Sequence, residues 1–331
     1  MAGCCGERLY IHQVTGGTVT TMKLKNLYLT IISVLCLSIM IGCAALNRPF
    51  PSNFGARVPV IMYHRVVPDE RKIAGVREQS DVSLYTRTAS EFKKEMAFLA
   101  DQGFTPISFD QLTDYFQSKD PKLLPRKPVI ISFDDGSTDW FDIVFPILAI
   151  HKFKATFFLI TDDDSRRKYL GDIEPMNWRQ IQHMASYKTD TGLPLFTFES
   201  HTHSHMDLSA VLVEGFGNSL PSSPQLTGRT AIIREELNRS MKVIQEKTGR
   251  RPAFLALPYG AGGWDSALDS QTFPVIKSIA REIGYTGIRT SRRDIPNNLT
   301  TDPYKIGAQL TMLSITTYEQ FVERLKTFEL D

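Results

Sequence analysis

The chain has 331 residues, 42% of them apolar, which is enough for one large core or two modest domains. The formal net charge is only +2, which argues against nucleic acid as the main partner, because phosphate-binding surfaces usually carry a basic surplus. All four cysteines, Cys4, Cys5, Cys36 and Cys43, lie near the N-terminus. The remainder of the chain therefore cannot contain a disulfide framework.

The N-terminal segment resembles a bacterial lipoprotein signal peptide. Met22–Lys25 is a short basic start, Leu27–Ile41 is apolar, and Cys43 follows, although Met40 stands where such signals usually have Leu. We predict a lipid on Cys43 and an exported protein anchored in the bacterial cell envelope, facing the periplasm from the outer membrane or lying at the cell surface. An uncleaved anchor helix is the alternative reading.

The chain divides into four predicted parts. They are an upstream extension without an apolar period (1–21), a signal peptide (22–42), a tether containing Asn, Pro, Ser and Gly (43–57) and a folded domain (58–331). Translation is expected to start at Met22.

Strands and helices are predicted to alternate along the folded domain. Short apolar runs predict strands at 58–63, 104–107, 128–133, 155–160, 195–198, 253–257, 285–289 and 306–310. Helical periodicity predicts helices from an N-cap at Ser90 to Gly103, and at 110–116, 141–153, 177–185, 230–247, 273–283 and 317–328. Residues 212–228 are predicted to be a loop. This alternation predicts an α/β fold of parallel strands with helical crossovers, and polar residues after several strands indicate a site at one end of a β/α barrel.

A histidine cluster occupies residues 201–205, with the sequence HTHSH. In a helix, His201 and His205 would share one face, a spacing that suits a single metal ion. In an extended segment, all three histidines would align instead. Neutral imidazole binds zinc and similar ions, so the cluster predicts a metal site, with a solvated surface turn as the alternative.

Two adjacent carboxylates, Asp134 and Asp135, end an apolar strand and precede Gly136. Burying both without partners would be unfavourable, and a cation would relieve this for one of them. The other could then act as a general base. Asp-Asp-Gly is also an ordinary turn sequence, so the pair alone is a weak signal.

Three motifs together resemble those of the polysaccharide deacetylase family, the NodB-homology domain of carbohydrate esterase family 4. They are SFDDG at 132–136, HTHSH at 201–205 and LPYG at 257–260, and the resemblance spans about 57–326. It implies a distorted, incomplete (β/α) barrel that forms the catalytic domain.

The resemblance also implies roles for individual residues in the hydrolysis of an acetamide. Asp134 would be the general base, and Asp135, His201 and His205 would hold a divalent metal ion. Zinc is the expected ion, with nickel, cobalt or iron as alternatives. Tyr259 would offer its backbone N–H to the developing oxyanion and its ring to a sugar.

Further segments resemble the branch of this family that deacetylates poly-β-1,6-N-acetylglucosamine in biofilm matrix. They are VPVIMYHRV at 58–66, SEFKKEMAFLADQGFTPISFDQL at 90–112, MNWRQIQHM at 176–184 and LALPYG at 255–260. The expected partners are therefore an N-acetylated polysaccharide and, through the lipid on Cys43, a membrane.

The chain departs from the family pattern at two points. Ala256 stands where an Arg often supports the base, and no histidine follows His205 to serve as the general acid. His64, at the end of the strand 58–63, is a candidate substrate contact or proton donor, with a packed or capping histidine as the alternative. Asp134 could otherwise return the proton itself.

Other functions remain open from the sequence. The same chemistry could act on peptidoglycan, chitooligosaccharide or acetylated xylan. The departures also allow a non-catalytic glycan-binding lipoprotein, or an envelope scaffold whose histidines scavenge metal. Trp178 and Trp264 are weaker candidates for sugar stacking, and Trp178 suits a core role equally well.

Overall fold

A computed structural model describes residues 56–69, 84–171, 173–217, 219–262, 266–293 and 297–328. These residues belong to one unit, Phe54–Asp331. The predicted extension, the signal peptide, Cys43 and nearly all of the predicted tether lie outside the described residues, as does Trp264.

All pairings between the strands of the described residues are parallel. The strands are β1 (Val60–Tyr63), β2 (Arg65–Val67), β3 (Thr86–Thr88), β4 (Thr105–Pro106), β5 (Pro128–Asp135), β6 (Ala155–Leu159), β7 (Phe196–Ser200), β8 (Phe254–Ala256), β9 (Gly287–Arg289) and β10 (Leu310–Thr311). The main sheet has the order β10-β1-β5-β6-β7-β8-β9, with β4 beside β5, and β2 pairs separately with β3. A parallel bridge also joins Arg289 to Ile306. The sheet curls into the predicted distorted, incomplete (β/α) barrel.

Both faces of the central strands are buried, which explains why their sequences are continuous apolar runs. Alternate residues belong to two different clusters, because successive side chains point to opposite faces. One cluster contains Val60, Met62, Ile130 and Phe158, and the other contains Ile61, Tyr63, Ile131, Phe133 and Phe157.

Helices connect the strands and cover the sheet. The α-helices are α1 (Ala89–Asp101), α2 (Phe109–Ser118), α3 (Phe145–His151), α4 (Asp163–Leu170), α5 (Trp178–Ser186), α6 (Leu208–Val213), α7 (Ser223–Thr248), α8 (Ala267–Ile283) and α9 (Tyr318–Lys326). Shorter helical turns are Pro121–Leu123, Pro258–Gly260 and Pro303–Lys305, and a π-helical turn, Trp140–Val144, precedes α3. Among the described helices, none combines the length and apolar character needed to cross a membrane.

Three predicted helix starts were wrong, and one of these is the start of α8, which begins at Ala267 rather than at residue 273. Thr88, not Ser90, caps α1: its side chain accepts from the backbone N–H of Glu91 at 3.3 Å, while Glu91 accepts from the N–H of Thr88 at 2.9 Å. This reciprocal pair is a complete capping box. Residues 212–228 are not all loop, because α7 begins at Ser223 with a proline in its first turn, where a missing N–H is tolerated.

Two additions to the barrel were not predicted from the sequence. One is the ribbon of β2 and β3, which follows the end of β1, and the other is helix α4, which follows β6. Both contribute side chains to the pocket described next.

Candidate metal centre and active-site pocket

The carboxyl ends of the strands surround a pocket of about 250 Å³. This is where a parallel β/α fold is expected to carry its site. The sequence-predicted site residues are brought together here, since the lining includes His64, Asp134, Asp135, His201, His205 and Tyr259.

The aspartate pair lies inside the strand rather than after it, because β5 extends through Asp135. Adjacent strand residues normally point to opposite faces, yet both carboxylates line the pocket. The φ of Asp135 is 91°, and Gly136 follows with φ 112°. This departure from extended backbone interrupts the alternation, and such strained residues are typical of functional sites.

The histidine segment after β7 adopts neither of the two conformations considered from the sequence. Thr202 and His205 have positive φ values of 64° and 59°, so residues 201–205 form a tight loop rather than a helix or an extended run. The loop nevertheless brings two rings to one point. The Nε2 atoms of His201 and His205 lie 3.5 and 3.7 Å from Asp135 Oδ1.

The three side chains fit a divalent metal ion. One nitrogen or oxygen from each of Asp135, His201 and His205 lies within 4.8 Å of the others, and all three residues are buried. Asp135 Oδ1 accepts no hydrogen bond from the described residues. A buried carboxylate oxygen left in this way is unfavourable unless a cation neutralises it.

The protonation of the cluster also suits a cation. Burial and the nearby His201 lower the pKa of His205 to about 3, so its ring is neutral and can act as a ligand. Burial alone would raise the pKa of Asp135, but the contact with His201 and the proximity of His64 and His205 lower it to about 2. His201 Nδ1 lies 3.0 Å from the carbonyl oxygen of Ala256. Donation to that carbonyl leaves the Nε2 lone pair directed at the cluster.

Arg289 occupies the place beside Asp134 that the sequence left unfilled. Its guanidinium donates a hydrogen bond to Asp134 Oδ2, and both side chains are almost completely buried. Arg289 on β9 pairs in register with Ala256 on β8, the position where the family often has an Arg. The supporting cation therefore comes from the adjacent strand. The sequence signal that could have identified Arg289 is a buried-strand run, 285–289, that ends in a charged residue.

The two oxygens of Asp134 have different environments. Oδ2 is held by Arg289, whereas Oδ1 is buried and accepts no hydrogen bond from the described residues. One oxygen is thus anchored and the other is available to take a proton.

His64 lies next to this carboxylate. Its Nε2 atom is 4.0 Å from Asp134 Oδ2, and its ring packs at a tilt of 39° against Tyr85, with centroids 4.4 Å apart. Burial lowers the pKa of His64, opposed by the charges of Asp135 and Asp134. The backbone carbonyl of His64 accepts from Trp140 Nε1 at 2.8 Å, which fixes the end of β1.

Tyr259 lies at the mouth of the pocket with 61% of its surface exposed. Its φ is 58°, and its hydroxyl is 3.2 Å from His205 Nδ1. Trp178, by contrast, does not line the pocket; it packs against the core, and its Nε1 lies 3.3 Å from Asp163 Oδ2.

The inner residues of the histidine loop anchor it to other elements. His203 Nδ1 lies 2.9 Å from Oγ1 of Thr161, two residues after β6. Glu236 of α7, which is 6% exposed, accepts from both the backbone N–H and the hydroxyl of Ser204, at 2.6 and 2.9 Å. Sequence reasoning missed Glu236 because it lies 32 residues away on a helix.

Comparison with known proteins agrees with this geometry. A family described as "Polysaccharide deacetylase" matches residues 122–287. A poly-beta-1,6-N-acetyl-D-glucosamine N-deacetylase of Staphylococcus aureus (strain MRSA252) is 25% identical over 206 residues, which are 62% of this chain and 62% of that protein. The match thus spans less than two thirds of that relative.

Solved structures resemble the fold. IcaB from Ammonifex degensii has a TM-score of 0.59 at 23% identity, covering 84% of this chain and 99% of that one. A de-N-acetylase from Aggregatibacter actinomycetemcomitans has a TM-score of 0.61 at 24% identity, covering 81% and 99%. The barrel and its pocket define a deacetylase-type α/β protein. This chain belongs to the polysaccharide deacetylase family.

Proposed function

We propose that this protein is a metal-dependent hydrolase that removes N-acetyl groups from an extracellular N-acetylglucosamine polymer, with poly-β-1,6-N-acetylglucosamine as the favoured substrate. The observation that carries the proposal is Asp134, anchored through one oxygen and open at the other, beside the cluster of Asp135, His201 and His205. The activity named for the Staphylococcus aureus relative supports the choice of polymer.

A divalent ion held by Asp135, His201 and His205 would polarise the acetamide carbonyl and make water more acidic, and zinc suits a set of two imidazoles and one carboxylate. Nickel, cobalt and iron have ligand preferences that this set also meets. Elemental analysis of the purified protein and of variants lacking the proposed ligands tests this assignment.

The residues of the chain supply the remaining chemistry. Asp134 Oδ1 takes a proton from the attacking water, and Arg289 keeps that carboxylate oriented. The backbone N–H of Tyr259, in the motif position for this role, donates to the oxyanion that develops on the carbonyl oxygen. Acetate leaves, and the glucosamine nitrogen must gain a proton.

That proton has two possible sources in the pocket. His64 is 4.0 Å from Asp134 and lines the same cavity, so it can deliver a proton to the leaving nitrogen. Asp134, protonated by the attacking water, is the other source. We propose His64 as the donor, which makes both apparent departures from the family pattern compatible with catalysis: Arg289 replaces the missing Arg, and His64 the missing His.

Acetate release is the direct test of the function. Purified protein is incubated with β-1,6-linked N-acetylglucosamine oligomers, chitooligosaccharides, peptidoglycan and acetylated xylan, each with and without a chelator. We expect release from the β-1,6 oligomers that chelation abolishes. Release only from another glycan would reassign the substrate, and no release from any would overturn the enzymatic proposal in favour of a binding or scaffold role.

We also propose that the catalytic domain, 58–331, is exported and held in the cell envelope by a lipid on Cys43, after removal of a signal peptide at 22–42. An extracellular polymer as substrate supports export. Labelling bacteria that express the protein with a radioactive fatty acid tests the anchor. The label should appear on the protein and disappear in the Cys43→Ser variant; a label that persists would refute the site.

A further inference from the structure

Two tyrosines that were not assigned from the sequence line the pocket, and each contacts a different histidine of the site. The ring of Tyr85 packs against that of His64 at a tilt of 39°, and His64 adjoins Asp134. The ring of Tyr169 packs against that of His205 at a tilt of 44°, with centroids 3.9 Å apart, and His205 adjoins Asp135. The pocket that holds the polar groups is thus also lined by two aromatic rings.

Both tyrosines are carried by the two additions to the barrel. Tyr85 immediately precedes β3, and its carbonyl accepts from the backbone N–H of Arg65 on β2 at 3.2 Å. Tyr169 is on α4, near the end of that helix. The additions therefore place aromatic side chains at a site whose chemical groups come from the barrel strands and the loops that follow them.

Helix α4 is fixed directly to the reacting centre. Arg166 is 1% exposed and donates to the carbonyls of Ile160 and Met176 at 2.6 and 3.1 Å. Its side chain packs on Gly136, where an added Cβ would lie only 2.8 Å from Arg166 Cδ. The residue before α4, Asp162, donates its backbone N–H to the carbonyl of His203 at 2.8 Å.

These contacts hold α4 to both the aspartate turn and the histidine loop. Tyr169 is consequently presented by a rigid frame rather than by a free surface helix. Preorganised side chains of this kind bind a ligand with little loss of conformational freedom.

We propose that Tyr85 and Tyr169 form the aromatic walls of the sugar-binding subsite and determine its preference for pyranose rings. The inference rests on the proposed function. A pyranose has an apolar C–H face and a polar hydroxyl edge, and a tyrosine has an apolar ring and a polar tip, so the two can pair face to face. The acetamide then reaches the polar floor between Asp134 and Asp135.

A purely structural role for Tyr169 would predict something different. If its ring only supported His205, its loss would weaken metal binding and leave sugar binding intact. Metal affinity and the Michaelis constant KM therefore distinguish the two roles.

The experiment compares Tyr85→Leu, Tyr169→Leu and the matching Phe variants with the wild-type protein. Leu fills most of the space without an aromatic face, and Phe keeps the ring. The control is Tyr187→Leu, because Tyr187 is 40% exposed and lies outside the pocket lining. Measurements are kcat and KM for β-1,6 oligomers, equilibrium binding of the same oligomers, and metal affinity by competition with a chelator.

We expect each Leu variant to raise KM and the dissociation constant about tenfold, with kcat and metal affinity nearly unchanged and Phe variants close to wild type. Unchanged KM and oligomer binding in both Leu variants would overturn the proposal, and so would a loss confined to metal affinity. If one Leu variant fails to fold, KM and oligomer binding of the Leu variant at the other tyrosine still test the proposal, and the Phe variant at the first position shows whether the ring alone is sufficient there. Wild-type protein that binds oligomers without releasing acetate would refute the proposed function. The role of the two tyrosines would then be decided by comparing the oligomer dissociation constants of the Leu variants and the wild-type protein.

Discussion

Arg289 and Asp134 form a buried ion pair between β9 and β5, and this pair replaces the expected Arg at position 256. Removing one partner of a buried pair leaves an uncompensated charge, which typically destabilises by about 3–5 kcal/mol. We expect Arg289→Met to lower the free energy of unfolding by about this amount and to reduce acetate release strongly. Denaturant unfolding and the acetate assay measure both effects.

The double variant Asp134→Asn, Arg289→Met tests whether the pair is the cause. We expect it to regain much of the lost stability but no activity, because the unpaired charge is gone and so is the base. The control is Arg239→Met, since Arg239 is 61% exposed on α7. Equal losses in the control, or strict additivity in the double variant, would argue against a special role for the pair.

The metal assignment predicts the metal content of variants. Asp135→Ala combined with His201→Ala removes two of the three proposed ligands, so the purified protein should lose its bound metal and any stabilisation by added metal. Elemental analysis and thermal unfolding with and without metal test this. His183→Ala serves as the control, because His183 packs against Phe141 and Phe145 outside the site. Unchanged metal content in the double variant would refute the ligand assignment.

Glu236 is predicted to act on the metal through Ser204 rather than as a ligand. Replacing residues that orient metal ligands typically weakens metal affinity about 10–100-fold, and we expect this range for Glu236→Ala. Glu236→Gln should lose less, because an amide oxygen can still accept from Ser204. Glu235→Ala is a matched control from the same helix, since Glu235 is 69% exposed. Equal metal affinities for the Glu235 and Glu236 variants would contradict this prediction.

His64 is predicted to deliver the proton to the leaving nitrogen. We expect His64→Gln to lower kcat about 100-fold while metal content stays the same, since a positioned general acid typically contributes 10²–10⁴-fold. A variant with nearly full activity would instead identify Asp134 as its own proton donor. The control is His151→Gln in α3, outside the pocket lining, which should leave kcat unchanged.

The buried carboxyl of Glu95, which lies outside the pocket lining, is expected to make the free energy of unfolding depend on pH. Its carboxylate lies between Arg87 and the Tyr63 hydroxyl, 2.8 Å away, and burial raises its pKa from 4.5 to about 7. The folded state therefore holds the proton more tightly than the unfolded state. This contribution to stability is complete below pH 4.5 and disappears as the pH rises to about 7, a change of roughly 3 kcal/mol.

The measurement is denaturant unfolding across that pH range. Glu95→Gln cannot titrate and should flatten the decline, whereas Glu323→Gln, at an exposed position on α9, should not. A decline of the same size in the Glu95 variant would assign the dependence to other groups.

Strong local signals explain the success of the sequence reasoning. The run Pro128–Phe133 is apolar and β-branched because both of its faces are buried, so it could be recognised without knowing its partners. The helix predicted at 177–185 is α5, Trp178–Ser186, so its helical period was readable from the local sequence. The four strongest candidates, Asp134, Asp135, His201 and His205, meet in one pocket as the motifs implied.

The features that were missed depend on contacts between distant parts of the chain. Strands β2 and β3 have three residues each and are stabilised mainly by pairing with each other. The histidine loop has two residues with positive φ, which no periodic pattern could indicate. The start of α7 was hidden by Pro224 and Gly228, which usually indicate a loop.

The Arg289–Asp134 pair also bears on the order in which the site can be completed. Its partners are 155 residues apart, and contacts of such long range form late because closing the intervening loop is entropically unfavourable. During synthesis, Asp134, Asp135, His201 and His205 all leave the ribosome well before Arg289. A nascent or truncated chain that ends before β9 would thus carry every proposed metal ligand but a base without its counter-ion. Hydrolytic competence should therefore appear only when the final third of the barrel has docked.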